Sequence, residues 1–346
     1  MSPHKAHTFC RQMLPKVSRT FAINIEVLEG DLYKAVLCGY LFCRIIDTVE
    51  DSYEFSLETQ ERLLNEMIRI FKSESFDAAE IQAWSTAFQN SDANDPEIIL
   101  ARNAHLVFEN YLSLPEESRL AIGRCVIEMT QGMKSTLSQK RYNSHNLYTL
   151  ETLHDLETYC YYVAGTVGIL LTTLFIHSIK NISPKVREQL RERQVSFGLG
   201  LQFTNVIKDC FTDYGRGWCY IPRVLGEKHG VKIEDFFKPE NNTKSLRILG
   251  ELIGKAEEHL HDALEYTLAI PRRETRIRLF CLWPLFFAIK SLAAASGNIN
   301  LVTGEKPVKI TRQDVYRTLT KTTVLAFSNT QLQRYYASIA GRIRTL

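Results

Sequence analysis

Several features are scarce in this chain of 346 residues, and each absence excludes a class of protein. The eight cysteines form no CxxC pair and no Cys/His cluster with zinc spacing, so neither a zinc site nor a disulfide framework is indicated. With 42 basic and 39 acidic residues the net charge is only +3, which does not favour a nucleic-acid partner. A GxGxxG turn between a strand and a helix is also missing, so no Rossmann dinucleotide site is indicated.

Targeting signals are equally scarce. Residues 1–12 are polar and lack the apolar core of a signal peptide, and the apolar run 279–289 is too short to span a bilayer. The run 161–179 has no Asp, Glu, Lys or Arg and is long enough to span, but its Thr, Gly and Tyr residues favour a buried helix. A membrane-spanning protein is the alternative. The C-terminal end is basic and polar, so we expect a cytoplasmic protein without a transmembrane anchor, in a reducing compartment.

The hydrophobic pattern is helical almost throughout. Apolar residues recur at helical spacing, as at Tyr33, Val36, Leu37, Tyr40 and Leu41, and no alternating run is bounded by hairpin turns. No linker separates two cores, so the sequence predicts one all-α domain over residues 1–346 with a ligand cavity between helices. The pattern predicts helices at about 31–50, 57–73, 97–112, 116–138, 151–179, 185–212, 244–269, 273–296 and 311–340.

Two acidic motifs interrupt this apolar pattern. Asp47 and Asp51 in DTVED, and Asp209 and Asp213 in DCFTD, each place two carboxylates one helical turn apart on one face. Spacing alone is weak evidence, because 39 acidic residues produce roughly four such pairs by chance and most are solvated. The pairs Glu151/Asp155 and Glu258/Asp262 are of this ordinary kind, and we assign them no chemistry.

The apolar surroundings distinguish the two aspartate pairs from the others. Asp47 ends the run GYLFCRII, and Asp209 follows GLGLQFTNVIK, so both are expected near the core. Buried carboxylates require cations, and Mg²⁺ binds carboxylates together with substrate phosphates. Two such helices facing each other would hold metal ions over a diphosphate.

Polar residues accompany both motifs at helical spacing. Tyr40 and Arg44 precede Asp47 on the same face, where an arginine either binds phosphate bidentately or forms a local salt bridge. Gln202 and Asn205 extend the stripe that contains the second pair, which indicates either a cavity wall or a solvated face. These alternatives stay open from spacing alone.

Two further segments have ambiguous patterns. In YCYYVAGTVG, Tyr159, Val163 and Val167 share a face, and the small residues including Gly168 favour a tight helix crossing. Ser18 precedes Arg19 and Phe21 before the first long helix, where a serine usually caps the helix.

Taken together, the segments VSRTF (17–21), YLFCRIIDTVED (40–51), YCYYVAGTVG (159–168) and LQFTNVIKDCFTD (201–213) resemble the squalene/phytoene synthase family, and their order agrees over about 20–290. FCLWP (280–284) adds to the resemblance. It implies an α-helical isoprenoid-synthase fold around a central cavity. The implied metal-associated residues are Asp47, Asp51, Asn205, Asp209 and Asp213.

The resemblance also implies roles for the neighbouring residues. Ser18, Arg19, Tyr40 and Arg44 match diphosphate-contacting positions, and Tyr159 matches the tyrosine that assists the first half-reaction. Gln202 and Asn205 lie beside the metal-associated aspartates as substrate-binding residues. Phe21, Val163, Val167 and Gly168 would line the prenyl tunnel. The implied reaction joins two farnesyl diphosphates through presqualene diphosphate with Mg²⁺, after which NADPH supplies hydride, and the product leaves through peripheral membrane contact.

The chain departs from the family pattern around its second motif. Lys208 stands where squalene-forming members usually have arginine, and Trp218 stands at the place of a loop arginine used for NADPH, with Arg216 and Arg223 nearby. Lys208, Arg216 and Arg223 are therefore the expected cofactor-binding cations. The RG…YIP sequence of this loop is more similar to the phytoene and dehydrosqualene branch. The alternatives are therefore a non-reduced product, such as dehydrosqualene, hydroxysqualene or presqualene diphosphate, phytoene from the longer C20 substrate, or a non-catalytic helical scaffold.

Overall fold

The computed structural model describes residues 3–52, 54–73, 76–138 and 147–343, and within them the side chains of all but Pro3, His4, Arg19 and Ser138. These residues are almost entirely helical, which confirms the predicted all-α class. The chain divides into two compact units, Met1–Gln139 with Ile169–Asn181, and Lys140–Gly168 with Ile182–Leu346. The single domain and its central cavity stay predictions.

The first unit is a set of helices around α3. The helices are α1 (Pro3–Val17), α2 (Arg19–Glu26), α3 (Gly30–Glu50), α4 (Leu57–Lys72), α5 (Ala78–Ser85), α6 (Pro96–Arg102), α7 (Ala104–Leu112) and α8 (Glu116–Ser138). Helix α3 packs against α1, α6, α7 and α8, and its Phe42 ring meets those of Phe71, Phe108 and Tyr111 edge to face. This aromatic cluster makes α3 a rigid support for the acidic residues at its C-terminal end.

The second unit is built on two long paired helices. In chain order the elements are β1 (Tyr148–Thr149), α9 (Leu153–Cys160), a π-helical turn (Tyr161–Gly165), α10 (Thr166–Ser178), α11 (Pro184–Gly215), β2 (Trp218–Cys219), α12 (Arg223–Lys228), α13 (Asn242–Ala269), α14 (Thr275–Ala295), α15 (Asn300–Thr303), α16 (Arg312–Leu325) and α17 (Asn329–Ala340). The residues of α10 from Ile169 onward belong to the first unit. Helix α11 packs along α13, and glycines permit this close approach because the Leu260 side chain occupies the space where Gly200 would have a Cβ.

Local sequence signals explain where several helices begin. Ser56 caps α4 and Ser183 caps α11, each by accepting a backbone hydrogen bond from the first turn. Helix α9 begins with a capping box between Thr152 and Asp155, whose side chains bond reciprocally to each other's backbone N–H.

A buried arginine joins the end of α13 to the start of α17. Arg278 is fully buried and donates hydrogen bonds to the carbonyl oxygens of Thr267, Ile270 and Ala326 and to Asn329 Oδ1. These partners replace the water that the guanidinium loses, and burial lowers the pKa of Arg278 to about 10.

The structure corrects several predicted helix bounds. The predicted helix 97–112 is interrupted at Asn103, and the predicted helix 311–340 ends at Leu325 and begins again at Asn329. The N-terminal helices α1 and α2, the short helices α5, α12 and α15, and the parallel pair of β1 with β2 were not predicted. Helices α1 and α2 were missed because polar residues, Ser18 and Pro15 obscure the apolar period there.

Two helical stretches are long and apolar enough to cross a membrane. They are Leu153–Ser178 and Thr275–Ala295. In the most apolar part of the first stretch 44% is buried, and in that of the second 78% is buried. The apolar run 279–289 is shorter than the helix that contains it, because the helix extends beyond the run at both ends. Burial of this kind is also typical of the core helices of globular proteins.

All eight cysteines are free and buried. Burial raises the pKa of the Cys10 and Cys219 thiols to about 12, which keeps them protonated and unreactive near neutral pH.

Candidate functional site

The first acidic pair lies at the C-terminal end of α3. Asp47 is in the last turn, and Asp51 is the C-cap residue, whose backbone N–H donates to the Asp47 carbonyl oxygen at 2.8 Å. The Asp47 side chain is 28% exposed. A helix C-terminus carries partial negative charge, so two carboxylates there repel the helix end as well as each other. The position therefore creates a demand for cations.

Arg44 supplies part of that positive charge. Its Nη1 lies 3.8 Å from Asp47 Oδ2 and 3.5 Å from Glu97 Oε1, and its Nη2 donates to the Tyr40 hydroxyl at 3.4 Å. The predicted grouping of Tyr40, Arg44 and Asp47 on one face is confirmed. A local salt bridge and phosphate binding are both compatible with these contacts, because contacts of this length leave the guanidinium able to bind an added oxyanion.

Glu97 was not predicted as a site residue. It lies in the first turn of α6, after the Asp95 cap, and helix packing brings it to Arg44. Its sequence context is that of an ordinary helix start, so no sequence signal connects it with Arg44, 53 residues earlier in the chain.

Negative charge exceeds positive charge in this group. Burial raises the pKa of Asp47 to about 7, and the neighbouring carboxylates of Asp51 and Glu97 raise it as well, while Arg44 opposes the change. Burial likewise raises the pKa of Glu97. One arginine therefore does not balance the carboxylates around it, and a bound divalent cation would stabilise their ionised forms.

The residues before α3 continue this face within the first unit. Ser18 caps α2 by accepting a hydrogen bond from the Phe21 backbone N–H at 3.1 Å, which confirms the capping interpretation. The Phe21 ring lies 5.7 Å from the Tyr40 ring, so an exposed apolar group adjoins the polar one. The side chain of Arg19 lies outside the described residues.

The second acidic pair lies on α11. Gln202, Asn205, Asp209 and Asp213 form a stripe along the helix, while Phe203, Val206 and Ile207 on the other side are buried. Asn205 donates to Gln202 Oε1 at 3.4 Å, and Lys208 forms an ion pair with Asp209. The stripe is half-buried to exposed, and its oxygen atoms are the ligand type that magnesium prefers.

Tyr159 lies at the end of α9, immediately before the π-helical turn. Its ring stacks on that of Tyr220, with centroids 4.6 Å apart and planes inclined by 22°. Val163 and Val167, one and two turns further, are half-buried. π-Helical turns are frequent at functional sites because they re-aim side chains within a helix.

Gly168 lies against the backbone of α11. A Cβ at this position would overlap the Gln194 carbonyl oxygen, so only glycine fits the crossing. The prediction of a tight helix crossing is confirmed here, and a role for Gly168 in a prenyl tunnel stays a prediction.

The loop after the second pair contains the predicted cofactor-binding cations. Arg223 forms ion pairs with Glu151 at 3.2 Å and Glu234 at 3.7 Å, while Arg216 is exposed at the C-terminal end of α11. A groove of about 840 Å³ opens beside this loop. Its lining residues are Arg223, Glu227, Gly230, Val231, Lys232, Ile233, Glu234 and Asp235.

Within the described ranges, no group of three or more His, Cys, Asp or Glu side chains is arranged to hold a metal ion. The two aspartate pairs nevertheless have the oxygen chemistry that suits Mg²⁺, which keeps several waters and takes phosphate oxygens as further ligands. The pairs therefore fit a metal that binds together with a phosphorylated substrate.

The architecture of the chain is shared with solved all-helical structures. A solved structure of TcSQS with a bound ligand has a TM-score of 0.78 at 24% identity, over 98% of this chain and 95% of that one. A dehydrosqualene synthase has a TM-score of 0.61 at 20% identity, over 97% of this chain and 98% of that one. At these identities the likeness defines the fold alone.

Sequence comparison then defines the family. The model of the squalene/phytoene synthase family matches residues 14–314, and the chain belongs to this family. It is 32% identical to the squalene synthase of Schizosaccharomyces pombe over 84% of this chain and 59% of that one. It is 31% identical to squalene synthase 1 of Arabidopsis thaliana over 92% of this chain and 72% of that one. The chain thus spans about three fifths of the fungal relative's length.

Proposed function

We propose that the protein is a squalene synthase, which joins two farnesyl diphosphates head to head and reduces the product. The observation that carries the proposal is the contact of Arg44 with Asp47 and Glu97, at 3.8 Å and 3.5 Å, in a chain of the squalene/phytoene synthase family. Besides Asp47, the carboxylates of Asp51 and Glu97 add negative charge that favours a bound cation.

Asp47, Asp51, Asn205, Asp209 and Asp213 would hold magnesium. When bound, Mg²⁺ supplies positive charge that stabilises the diphosphate as its C–O bond breaks. The protein's own contribution is to position carboxylates whose negative charge is not balanced by neighbouring side chains, so that metal and diphosphate would bind together.

Residues beside the first pair would orient the diphosphate. Arg44 carries a planar guanidinium that matches phosphate oxygens, and the Tyr40 hydroxyl beside it can donate a further hydrogen bond. Ser18 and Arg19 belong to the same predicted group. Binding the leaving group in a fixed orientation lowers the entropic cost of ionisation.

Tyr159 would act in the first half-reaction. Closing the cyclopropane ring of presqualene diphosphate releases one proton, and we assign its transfer to the Tyr159 hydroxyl, which passes a proton on to the departed diphosphate. The ring of Tyr220 holds the Tyr159 ring in one orientation. An aromatic face also stabilises an adjacent carbocation.

Apolar residues would protect the cationic intermediates. Phe21, Val163 and Val167 present apolar side chains that are at least partly accessible, as the wall of a binding site requires. Excluding water from the site prevents capture of the allylic cation as an alcohol.

The reductive step requires a phosphate-bearing cofactor. NADPH, when bound, would supply the hydride that quenches the final carbocation. Lys208, Arg216 and Arg223 have the charge that its phosphates need, and Arg216 is exposed. Lys208 and Arg223 are bound to acidic residues, so cofactor phosphates would have to displace Asp209, Glu151 or Glu234.

That competition favours a second candidate, a synthase that releases a non-reduced product. Without hydride transfer the final cation loses a proton, giving dehydrosqualene, or takes up water and then releases a proton, giving hydroxysqualene. Presqualene diphosphate could also be released. A non-catalytic scaffold on this fold is a further alternative, which the acidic pairs and Tyr159 argue against.

One pair of incubations separates these candidates. Purified protein is given farnesyl diphosphate and Mg²⁺, with and without NADPH, and the extracted products are identified by mass spectrometry. Squalene only in the presence of NADPH supports the proposal. The same product in both reactions assigns the chain to the non-reducing group, and no diphosphate release in either supports the scaffold. Geranylgeranyl diphosphate in a parallel reaction tests chain-length preference.

A further inference from the structure

The C-terminal end of α3 has no glycine to complete its backbone hydrogen bonds. The last carbonyl oxygens of a helix have no partner within the helix, and many helices satisfy them with a glycine just past the end. Here residues 50–54 read EDSYE, and Asp51 at the C-cap keeps right-handed dihedral angles, with φ −81° and ψ −4°. The carbonyl oxygens around Asp51 therefore need donors from elsewhere in the chain.

A buried glutamine of α4 supplies those donors. The Gln60 Nε2 lies 2.9 Å from the Val49 carbonyl oxygen, 2.8 Å from that of Glu50 and 3.1 Å from that of Ser52. Gln60 is only 4% exposed, so water does not compete for its amide. The nitrogen of this side chain thus ties the main chain on both sides of Asp51 to α4.

The start of α4 holds Gln60 in place. Ser56 caps the helix by accepting a hydrogen bond from the Thr59 N–H at 3.2 Å, and the Gln60 N–H donates to the Ser56 carbonyl oxygen at 2.9 Å. Leu63 and Leu64, which follow on the same helix, are fully buried. The amide of Gln60 therefore approaches the end of α3 from a fixed support.

Asp51 is the site residue that depends on this tie. It follows the last residue of α3, its side chain is exposed, and the ends of helices fray. Fixing the carbonyl groups before and after Asp51 fixes the direction of its Cα–Cβ bond. Asp47 lies one turn earlier, within α3, where the helix itself holds the backbone.

The neutrality of the Gln60 amide suits this position. A lysine or arginine could donate to the same carbonyl oxygens, but it would also bring a positive charge beside Asp47 and Asp51. That charge would repel a divalent cation bound by the carboxylates. The amide fixes the backbone and leaves the negative charge of the pair available for a metal ion.

We propose that Gln60 is a positioning residue, which holds Asp51 in the orientation that binds Mg²⁺ together with the diphosphate. The inference rests on the metal role of Asp51 in the proposed function. Side chains that orient a metal ligand contribute to affinity, and their loss typically weakens metal binding by about 10–100-fold although the ligand itself remains. Gln60 acts through the backbone of Asp51 and is not itself a ligand.

Gln60→Met tests this role, because methionine has a similar length and helix propensity but no N–H donor. At saturating farnesyl diphosphate, we expect the Mg²⁺ concentration for half-maximal diphosphate release to rise by about tenfold, while kcat at saturating Mg²⁺ changes little. Isothermal titration with inorganic pyrophosphate and Mg²⁺ should show a matching loss of affinity, and this readout does not depend on turnover. Gln60→Asn, which keeps the amide on a shorter side chain, should give a smaller change in the same direction.

A matched control separates positioning from general stability. Ser245→Ala removes another buried hydrogen bond from a side chain to the backbone, that of the Ser245 hydroxyl to the Phe236 carbonyl oxygen at 2.6 Å. Its Tm should fall without a change in the Mg²⁺ requirement. Amide hydrogen exchange in residues 47–52 should become faster in Gln60→Met and stay unchanged in Ser245→Ala.

The outcomes distinguish this inference from the proposed function. If the unaltered chain is active and Gln60→Met keeps the same Mg²⁺ requirement and pyrophosphate affinity, the inference is overturned and the proposed function stands. An equal rise of the Mg²⁺ requirement in Ser245→Ala would also overturn it, because general loss of stability would then be the cause. If the unaltered chain neither releases diphosphate nor binds pyrophosphate with Mg²⁺, the proposed function fails and the inference fails with it.

Discussion

The ring of Tyr159 stacks on the ring of Tyr220 at a centroid distance of 4.6 Å. Tyr220 directly follows β2, which pairs with β1, and it is followed by Ile221 and Pro222. The backbone there is held by hydrogen bonds such as that from the Tyr148 N–H to the Gly217 carbonyl oxygen. The loop after the second acidic motif therefore orients the tyrosine assigned to the first half-reaction.

Variants of this tyrosine pair test that assignment. Tyr159→Phe removes the hydroxyl and keeps the stack, and we expect presqualene diphosphate formation to slow by about 10²-fold, the usual contribution of a positioned proton-transfer group. Conversion of added presqualene diphosphate should change little. Equal losses in both half-reactions would contradict a role confined to the first.

We expect Tyr220 to affect the first half-reaction by holding the Tyr159 ring in its reactive orientation. Tyr220→Leu removes the aromatic face and should lower kcat for the first half-reaction by about tenfold, because a displaced Tyr159 is less often in its reactive orientation. Tyr220→Phe keeps the stack and serves as the control, with nearly normal kcat expected. If kcat of the Tyr220→Phe variant fell as far as that of Tyr220→Leu, the stacking account would be wrong.

We expect Arg44 to bind the diphosphate in addition to forming an ion pair with Asp47. Arg44→Lys keeps the charge but loses the planar fork, so KM for farnesyl diphosphate should rise by about tenfold at saturating Mg²⁺. The exposed pair Arg62–Glu66 provides a matched control, since Arg62→Lys changes an i,i+4 salt bridge away from the site. A KM unchanged by Arg44→Lys would reduce Arg44 to a local salt bridge.

The glycine at the crossing of α10 and α11 should be indispensable for packing. Gly168→Ala forces a Cβ into the Gln194 carbonyl, and backbone shifts of this kind cost about 1–3 kcal/mol. Gly254→Ala is the control, because no atom lies within 4 Å of the added Cβ, and helix propensity should stabilise it by about 0.5–1 kcal/mol. Thermal unfolding should therefore show opposite shifts of Tm. A Tm of Gly168→Ala at or above that of the unaltered chain would refute the crossing.

His259 should make the protein less stable in mild acid. Burial lowers its pKa in the folded state, and Lys255 lowers it further, while Glu157, Asp262 and Glu258 act in the opposite direction. Because the unfolded chain binds this proton more readily, stability contributed by neutral His259 is present above pH 6.5 and is lost as pH falls. His259→Gln should show a smaller fall in Tm between pH 7 and pH 5. An identical fall in Tm would exclude His259 as a source of the loss of stability in acid.

Much of the fold and part of the site were predictable from the sequence. Helical periods give the correct type for α3, α4, α8, α11, α13 and α14, and the Arg44–Asp47 contact follows from its i,i+3 spacing. Contacts between distant segments were not predictable. No sequence feature near Glu97 indicates its contact with Arg44, and none near Tyr220 indicates its contact with Tyr159. The breaks at Asn103 and after Leu325 were missed since no proline or glycine marks them.

The central claim is the proposal that each aspartate pair is required for the ionisation of prenyl diphosphate. It is tested most directly by measuring diphosphate release from farnesyl diphosphate and Mg²⁺ with Asp47→Asn, Asp209→Asn and the control Glu258→Gln, which changes an exposed acidic pair on α13. The account predicts a fall of about 10²-fold or more for each aspartate variant, with helical content retained, and an unchanged rate for the control. Undiminished release from folded Asp47→Asn and Asp209→Asn would contradict it.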